Sequence, residues 1–196
     1  MLPFLTEYYG NPSSTEHVFG WEANDSVNTS REQISELVNC SPNEIIFTSG
    51  ATESNNISIL GVLEKYKGKK NHAITVKTEH KSILDIFNYI EKENTSVAYL
   101  DVQKNGIIDV NELEKSINDQ TKLVSVMLAN NEIGVLQPIE DISKICQRKD
   151  IIFHVDAAQA LGKININLRK IKIDLMSFSA HKIYGPKGIG CIYLNR

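Results

Sequence analysis

The chain has 196 residues, of which 41% are hydrophobic, so it is long enough for one sizeable domain and short for two. Its formal net charge is −3 with acidic and basic residues interspersed, which excludes the basic face that nucleic acid or an anionic membrane would require. No apolar run approaches the length of a membrane span, the first residues are too short for a signal-peptide core, and the three cysteines lack metal-ligand spacing. We therefore expect one domain over residues 1–196, in a cytoplasmic protein with reduced thiols.

Apolar, strand-like runs alternate along the chain with stretches of helical periodicity. The predicted strands, in chain order, are 45–47, 73–76, 97–100, 123–127, 151–155, 173–176 and 189–194. The predicted helices are 14–38, opened by a capping-box pattern at 13–16, then 52–65, 81–92, 110–117 and 139–147. This alternation predicts an α/β fold with a mainly parallel sheet and helices on both faces.

The first motif, FTSGATESNN at 47–56, places small hydroxyl residues and a glycine between a strand and a helix. The free backbone N–H groups and the dipole of a helix N-terminus attract an anion, so this turn could hold a phosphate. An ordinary helix, capped by Ser49 or Thr52 with nothing bound, explains the same letters.

The segment Asn130-Asn131-Glu132-Ile133-Gly134 directly follows the apolar run 123–128. Two amides and a glycine at a strand end suit polar contact with a substituent of a bound ring. Asparagine and glycine also form turns without any ligand, and that alternative stays open.

The strand at 151–155 ends in Asp156. A carboxylate at the carboxyl end of a parallel strand faces the crevice in which open α/β sheets bind ligands. There it can pair with a pyridinium nitrogen and keep the ring protonated as an electron sink. The alternative is that Asp156 caps a helix in the segment that follows.

Lys182 lies between hydroxyl or imidazole donors and a glycine-rich turn, in the segment SFSAHKIYGPKGIG at 177–190. An amine in a partly desolvated pocket among other donors loses its proton readily and can form a Schiff base with a carbonyl or with pyridoxal phosphate. The alternative is a surface lysine beside a turn. The four motifs together, in this order, favour the pyridoxal phosphate arrangement of a lysine with an acidic partner.

Seven segments spread over essentially the whole chain resemble the class V aminotransferase-type pyridoxal phosphate enzymes, specifically the cysteine desulfurases of the NifS and IscS type. They are 10–14, 47–56, 77–82, 105–110, 130–139, 154–163 and 177–190. The resemblance implies the large domain of an aspartate aminotransferase-like, pyridoxal 5'-phosphate-dependent transferase, without the small C-terminal domain.

The resemblance also implies roles for individual residues. Lys182 would be the Schiff-base lysine and would move the proton at the substrate α carbon. His80 would stack on the pyridine ring and assist proton transfer; otherwise it is a capping histidine before the helix at Lys81. The remaining cofactor contacts would be Ala51, Thr52, Ser179 and His181 at the phosphate, Asp156 at the ring nitrogen, and Gln159 and Asn131 at the phenolate and substrate side.

The implied reaction transfers sulfur from L-cysteine, giving L-alanine and a persulfide for iron-sulfur cluster or thio-cofactor assembly. The implied partners are a second copy in a homodimer or a complementing chain, and a sulfur-acceptor or scaffold protein. In the family a cysteine on a mobile loop, well downstream of the lysine, attacks the substrate sulfur. This chain ends fourteen residues after Lys182, since 196 − 182 = 14, and none of its cysteines, at 40, 146 and 191, matches that nucleophile.

We therefore expect a truncated or split desulfurase that lacks the nucleophilic cysteine. One alternative is a non-catalytic remnant that binds pyridoxal phosphate or a partner protein. Another is a related lyase, such as one acting on selenocysteine, because the cofactor-binding half does not encode the choice of substrate.

Overall fold

Seven strands form one mixed sheet in the computed structural model, which describes residues 2–196. The strands are β1 Ile45–Thr48, β2 His72–Val76, β3 Ser96–Leu100, β4 Thr121–Met127, β5 Ile152–Asp156, β6 Leu175–Ser179 and β7 Gly190–Leu194. Their order across the sheet is β1-β7-β6-β5-β4-β2-β3. Strands β2 to β6 pair in parallel, and β7 pairs antiparallel with both β6 and β1. The predicted mainly parallel sheet is confirmed.

Helices cover both faces of this sheet, as the sequence predicts. Within residues 2–196 the α-helices are α1 Leu2–Thr6, α2 Val18–Val38, α3 Ala51–Tyr66, α4 Lys81–Lys92, α5 Val110–Ser116 and α6 Ile139–Arg148. Because side chains alternate along a strand, neighbouring residues of β4 enter opposite cores. Leu123 packs with α3 and α4, whereas Val124 packs with α5 and α6.

The central strands are buried on both faces, which is why they appear in the sequence as continuous apolar runs. Every position of β2 and of β4 is buried. Each fully buried leucine, isoleucine or phenylalanine contributes about 1.5–3 kcal/mol of transfer free energy, so these strands form a rigid base. The carboxyl ends of β4, β5 and β6 lie side by side on that base.

The start of α2 differs from the prediction. The helix begins at Val18 with His17 as its N-cap, whose Nδ1 accepts a hydrogen bond from the Gly20 amide at 3.2 Å, and not at the capping-box pattern of 13–16. The Ser14 amide instead donates to the Asn11 carbonyl, closing a turn. That turn folds back on the helix so closely that a Cβ at Gly20 would collide with the Ser14 carbonyl.

Strand β6 also differs, since it begins at Leu175 and runs to Ser179 although the prediction covered 173–176. Asp174 fixes the start of the strand: its Oδ2 accepts from the Phe153 amide at 2.8 Å, and its own amide donates to the Phe153 carbonyl.

Within residues 2–196, every helix is too short or too polar to cross a membrane.

Candidate active site

A cleft of about 420 Å³ opens at the carboxyl ends of β4, β5 and β6, beside the first turn of α3. This is the edge at which open α/β sheets bind their ligands. Every site residue predicted from the sequence lines this cleft: Ala51, Thr52, His80, Asn131, Asp156, Gln159, Ser179, His181 and Lys182. The structure therefore brings together residues from five separate segments of the chain.

The first turn of α3 keeps its backbone donors free. Gly50 is the N-cap and has no side-chain cap bond, so the interpretation that Ser49 or Thr52 caps this helix is wrong. Among residues 2–196 the Ala51 and Thr52 amides have no acceptor. The adjacent Glu53 carboxylate turns back to the Ser49 amide at 2.5 Å, and that bond lowers the pKa of Glu53. Unpaired N–H groups at the positive end of a helix dipole suit an anion.

The turn before α3 is held close to β7. A Cβ at Gly190 would lie 2.6 Å from the Gly50 Cα and 2.5 Å from the Phe178 carbonyl oxygen, so only glycine fits there. The Thr48 hydroxyl lies 2.8 Å from the Ser54 hydroxyl and adds a bond across the turn. These contacts fix the direction in which the free amides point.

Asp156 ends β5 with 3% of its surface exposed. Its Oδ1 accepts from the Ala158 amide and its Oδ2 from the Asn55 Nδ2, each at 2.9 Å. Burial raises the pKa of Asp156, and the two hydrogen bonds oppose that rise with smaller effects. Residues 158–163 form turns and not a helix, so the helix-cap alternative for Asp156 is wrong.

His80 both caps a helix and lines the cleft. It is the N-cap of α4, and its Nδ1 accepts from the Ser82 amide at 3.1 Å and lies 2.8 Å from the Ser82 hydroxyl. The capping interpretation is therefore confirmed, and it holds together with the exposed position of the ring in the cleft. Capping fixes the ring's orientation.

Lys182 lies in a short 3-10 helix, Ala180–Ile183, directly after β6. Its side chain is exposed at the cleft, so the sequence-based expectation of a partly desolvated amine is not met. Among residues 2–196, its Nζ has no hydrogen-bond or ion-pair partner. The neighbouring Ser179 is buried, and its hydroxyl lies 2.8 Å from the His181 Nδ1.

The two asparagines after β4 differ in position: Asn130 bonds within the turn, and Asn131 lines the cleft. Asn130 Oδ1 accepts from the Glu132 and Ile133 amides at 2.9 and 3.0 Å, so the turn interpretation is confirmed for this residue. Asn131 is exposed and lines the cleft. On the opposite loop, Gln159 Oε1 accepts from Lys163 Nζ at 2.8 Å, which orients its amide.

Sequence reasoning missed a buried acid behind the cleft. Glu79 is 6% exposed, its Oε1 accepts from the Met127 amide at 2.6 Å, and its Oε2 has no partner. Burial raises the pKa of Glu79 well above its usual range, and the nearby charge of Asp156 raises it further. An acid flanked by Thr78 and His80 carries no sequence signal of burial.

Sequence reasoning also missed a buried histidine that crosses three strands. His154 Nδ1 lies 2.8 Å from the Ser125 hydroxyl and its Nε2 2.9 Å from the Ser177 hydroxyl, and all three side chains are fully buried. Burial lowers the pKa of His154 to about 3, so the imidazole is neutral. The sequence carried one signal of this position: side chains alternate along β5, so His154 lies on the same face of the strand as Asp156.

The cysteines take no part in this cleft. Among residues 2–196, none of the three lines it. Burial raises the pKa of Cys40 to about 11 and the pKa values of Cys146 and Cys191 to about 12, so each thiol stays protonated. A thiolate is the nucleophilic form of cysteine, and these environments suppress it.

Comparison with known proteins gives concordant results. The sequence model of the family described as aminotransferase class-V matches residues 1–196. The chain is 56% identical over its full length to a cysteine desulfurase IscS of Neisseria meningitidis serogroup A, of which it covers 48%. It is also 56% identical to a cysteine desulfurase of Homo sapiens, of which it covers 43%. The chain thus spans about half the length of the curated relatives it matches.

Solved structures agree with the sequence matches. A NifS-like protein superimposes on the whole chain with a TM-score of 0.96 at 42% identity, over 54% of its own length. The structure described as SspA in complex with cysteine superimposes on 98% of the chain with a TM-score of 0.95 at 39% identity, over 55% of its own length. These superpositions confirm the fold that the resemblance implies.

Proposed function

The chain belongs to the class V aminotransferase family, and we propose that it is the cofactor-binding part of a cysteine desulfurase. Enzymes of this family depend on pyridoxal phosphate. The observation that carries the proposal is one cleft lined by an exposed lysine, a buried carboxylate and the start of a helix whose first amides have no acceptor among the described residues. Those are the three groups that the cofactor's aldehyde, ring nitrogen and phosphate require.

The donor set of the cleft fits the cofactor at each of its polar ends. The free amides of Ala51 and Thr52 suit the phosphate, and the hydroxyl of Ser179 with the imidazole of His181 can complete its shell. Asp156 offers a buried acceptor for a protonated ring nitrogen. When bound, pyridoxal phosphate supplies an electron-withdrawing ring that weakens the bonds at the α carbon of an amino acid.

Asp156 is arranged to favour a cationic partner. Its burial raises the pKa because an isolated charge is poorly solvated there, and a protonated ring nitrogen would restore that solvation. A charge-assisted hydrogen bond of this kind contributes about 1.5–3 kcal/mol. Asp156 would thereby hold a proton on the ring nitrogen.

Lys182 and His80 act on the proton at the substrate α carbon. The exposed, unpartnered amine of Lys182 would hold the cofactor at its aldehyde carbon, and as a free amine at the cleft it would accept and return the proton of the α carbon. His80 covers one side of the cleft with a ring whose direction is fixed by the α4 cap. Asn131 and Gln159 orient polar groups at the rim.

We propose L-cysteine as the substrate and a protein thiol as the acceptor: the two give L-alanine and a protein persulfide. The relatives named cysteine desulfurase support this reaction over the non-catalytic remnant. The thiol comes from outside the described cysteines, since each of those is held protonated away from the cleft. The sulfur then passes to an acceptor or scaffold protein of iron-sulfur assembly.

A second chain completes the proposed enzyme, either as a homodimer partner or as a complementing chain. Large apolar side chains near the start of the chain are exposed, which supports a protein contact there. They include Leu2, Leu5, Phe19 and Trp21.

The test is selective capture of the cofactor. We expect the chain, incubated with pyridoxal phosphate and reduced with borohydride, to carry the pyridoxyl group on Lys182 when its peptides are sequenced by mass spectrometry. Lys187 lines the same cleft and provides the matched control. Capture must disappear in Lys182→Ala and persist in Lys187→Ala; equal labelling of many surface lysines would refute the proposal.

A further inference from the structure

A chain of hydrogen bonds connects two side chains that line the cleft, Asp156 and His80. Asn55, on the second turn of α3, is fully buried. Its Nδ2 donates to Asp156 Oδ2 at 2.9 Å and to the Ser82 hydroxyl oxygen at 3.2 Å. The Ser82 hydroxyl lies 2.8 Å from His80 Nδ1. Three elements, β5, α3 and α4, meet through these four residues.

The donors in this chain have one consistent assignment. The Ser82 amide donates to His80 Nδ1 at 3.1 Å, and a ring nitrogen that accepts a hydrogen bond carries no proton. The Ser82 hydroxyl must therefore also donate to His80 Nδ1, which leaves its oxygen to accept from Asn55. Both protons of the Asn55 amide are then used.

The carboxylate of Asp156 fixes the direction of the chain. Both oxygens of Asp156 accept hydrogen bonds, Oδ1 from the Ala158 amide and Oδ2 from Asn55 Nδ2, so rotating the Asn55 amide by half a turn would place its Oδ1 against an oxygen that serves as an acceptor. In the observed orientation Asn55 Oδ1 is buried without a partner, so the amide gives up one acceptor bond to serve Asp156 and Ser82. An unsatisfied buried acceptor is retained where the opposite orientation costs more.

We propose that Asn55 and Ser82 are positioning residues that hold the His80 ring as the tautomer protonated on Nε2. With Nδ1 occupied by two donors, the free side of the ring presents an N–H and not a lone pair. His80 then enters the reaction as a hydrogen-bond and proton donor. This deepens the proposed function and rests on it for the use that the cleft makes of His80.

The tautomer can be measured on the chain without cofactor or substrate. Long-range proton–nitrogen correlation spectra of the full chain, labelled with 15N-histidine, distinguish a protonated from an unprotonated ring nitrogen. The His80 signals are assigned by their loss in His80→Gln. We expect the wild-type ring to show an unprotonated Nδ1 and a protonated Nε2 at neutral pH.

Variants of Ser82 separate positioning from helix capping. Ser82→Ala keeps the backbone donor and removes the hydroxyl donor, so the Nδ1-protonated tautomer should rise roughly twofold to tenfold, as expected for one lost hydrogen bond. Ser82→Thr should restore the wild-type spectrum. A mixed tautomer in the wild type, or identical spectra for wild type and Ser82→Ala, would overturn the proposal.

Asn55 has a matched control on its own helix. Asn56 uses its amide only locally, donating to the Thr52 carbonyl at 2.8 Å. Asn55→Ala should shift the tautomers in the same direction as Ser82→Ala, whereas Asn56→Ala should leave them unchanged. Because these spectra need no cofactor, a fixed tautomer without capture at Lys182 would refute only the proposed function, and capture with an unfixed tautomer would refute only this inference.

Discussion

Replacing Asp156 should affect the free chain and the cofactor complex in different ways. In Asp156→Ala the Asn55 amide loses its acceptor in a fully buried place, and the Ala158 amide loses its acceptor in a partly buried place at the cleft. Each unsatisfied buried donor costs about 1–3 kcal/mol. We expect the free energy of unfolding of the cofactor-free chain, measured in urea, to fall by at least one such increment.

Asp156→Asn should destabilise the cofactor-free chain less than Asp156→Ala at neutral pH. The new carbonyl can still accept from the Ala158 amide, and a half-turn of Asn55 would offer its unpartnered Oδ1 to the new amide while giving up the bond from Asn55 Nδ2 to the Ser82 hydroxyl. The raised pKa of Asp156 acts in the same direction, because the folded state holds the proton more tightly than the unfolded chain does. The stability that the wild type gains from this group is fully present below the ordinary carboxyl pKa and is lost as pH rises from there through the raised pKa, whereas the amide does not titrate.

Both variants should weaken the binding of pyridoxal phosphate. The lost bond to a protonated ring nitrogen, about 1.5–3 kcal/mol, corresponds to roughly 10- to 150-fold lower affinity for pyridoxal phosphate. Absorbance titration measures this affinity, with Lys187→Ala as a control that lines the same cleft. Equal affinities for wild type, Asp156→Ala and Asp156→Asn would refute the assignment of this carboxylate to the ring.

Three further predictions follow from packing, burial and the positions of the thiols. Gly190→Ala should lower the free energy of unfolding in urea by about 1–3 kcal/mol and weaken phosphate binding, because the added Cβ meets Gly50. Gly61→Ala, whose Cβ would lie in open space, is the control and should stabilise α3 by about 0.5–1 kcal/mol. Unchanged stability in Gly190→Ala would contradict the close approach of the two glycines. Between the pKa of His154, about 3, and its ordinary 6.5, wild-type stability should lose about 1.4 kcal/mol per unit of acidification from this group, and His154→Gln should show a flatter dependence. Equal slopes would mean that the imidazole is charged in the fold. The chain alone should release negligible sulfide from L-cysteine, even with dithiothreitol, since orientation of an attacking thiolate supplies much of the rate; turnover that disappears on replacing one of its own cysteines would show that this thiol is the carrier.

Local patterns in the sequence were sufficient to predict the helices and strands and the residues that line the cleft. The run 121–127 is buried at every position, and α4 begins and ends at the predicted residues Lys81 and Lys92. The motif residues needed only to follow parallel strands, because the carboxyl ends of such strands meet at one edge. That rule brings Asn131, Asp156 and Lys182 to one cleft.

Contacts between distant parts of the chain decided the rest. The beginning of α2 depends on a turn that packs against Gly20, a contact that overrides the capping signal at 13–16. The amides at the start of α3 are unpaired within the described part of the chain because Gly50, which has no side chain, is the N-cap. The sequence alone had offered Ser49 or Thr52 as the capping residue.

The burial and the hydrogen-bond partners of the acidic residues likewise could not be predicted from the sequence. The bond from Asn55 to Asp156 joins residues 101 positions apart, and the burial of Glu79 follows from its contact with Met127. A residue's type and spacing determine which groups it can offer, and local periodicity determines the element that carries it. Burial and hydrogen-bond partners, which set the charge, tautomer and orientation of those groups, depend on which strands and helices become neighbours, and only the folded chain decides that.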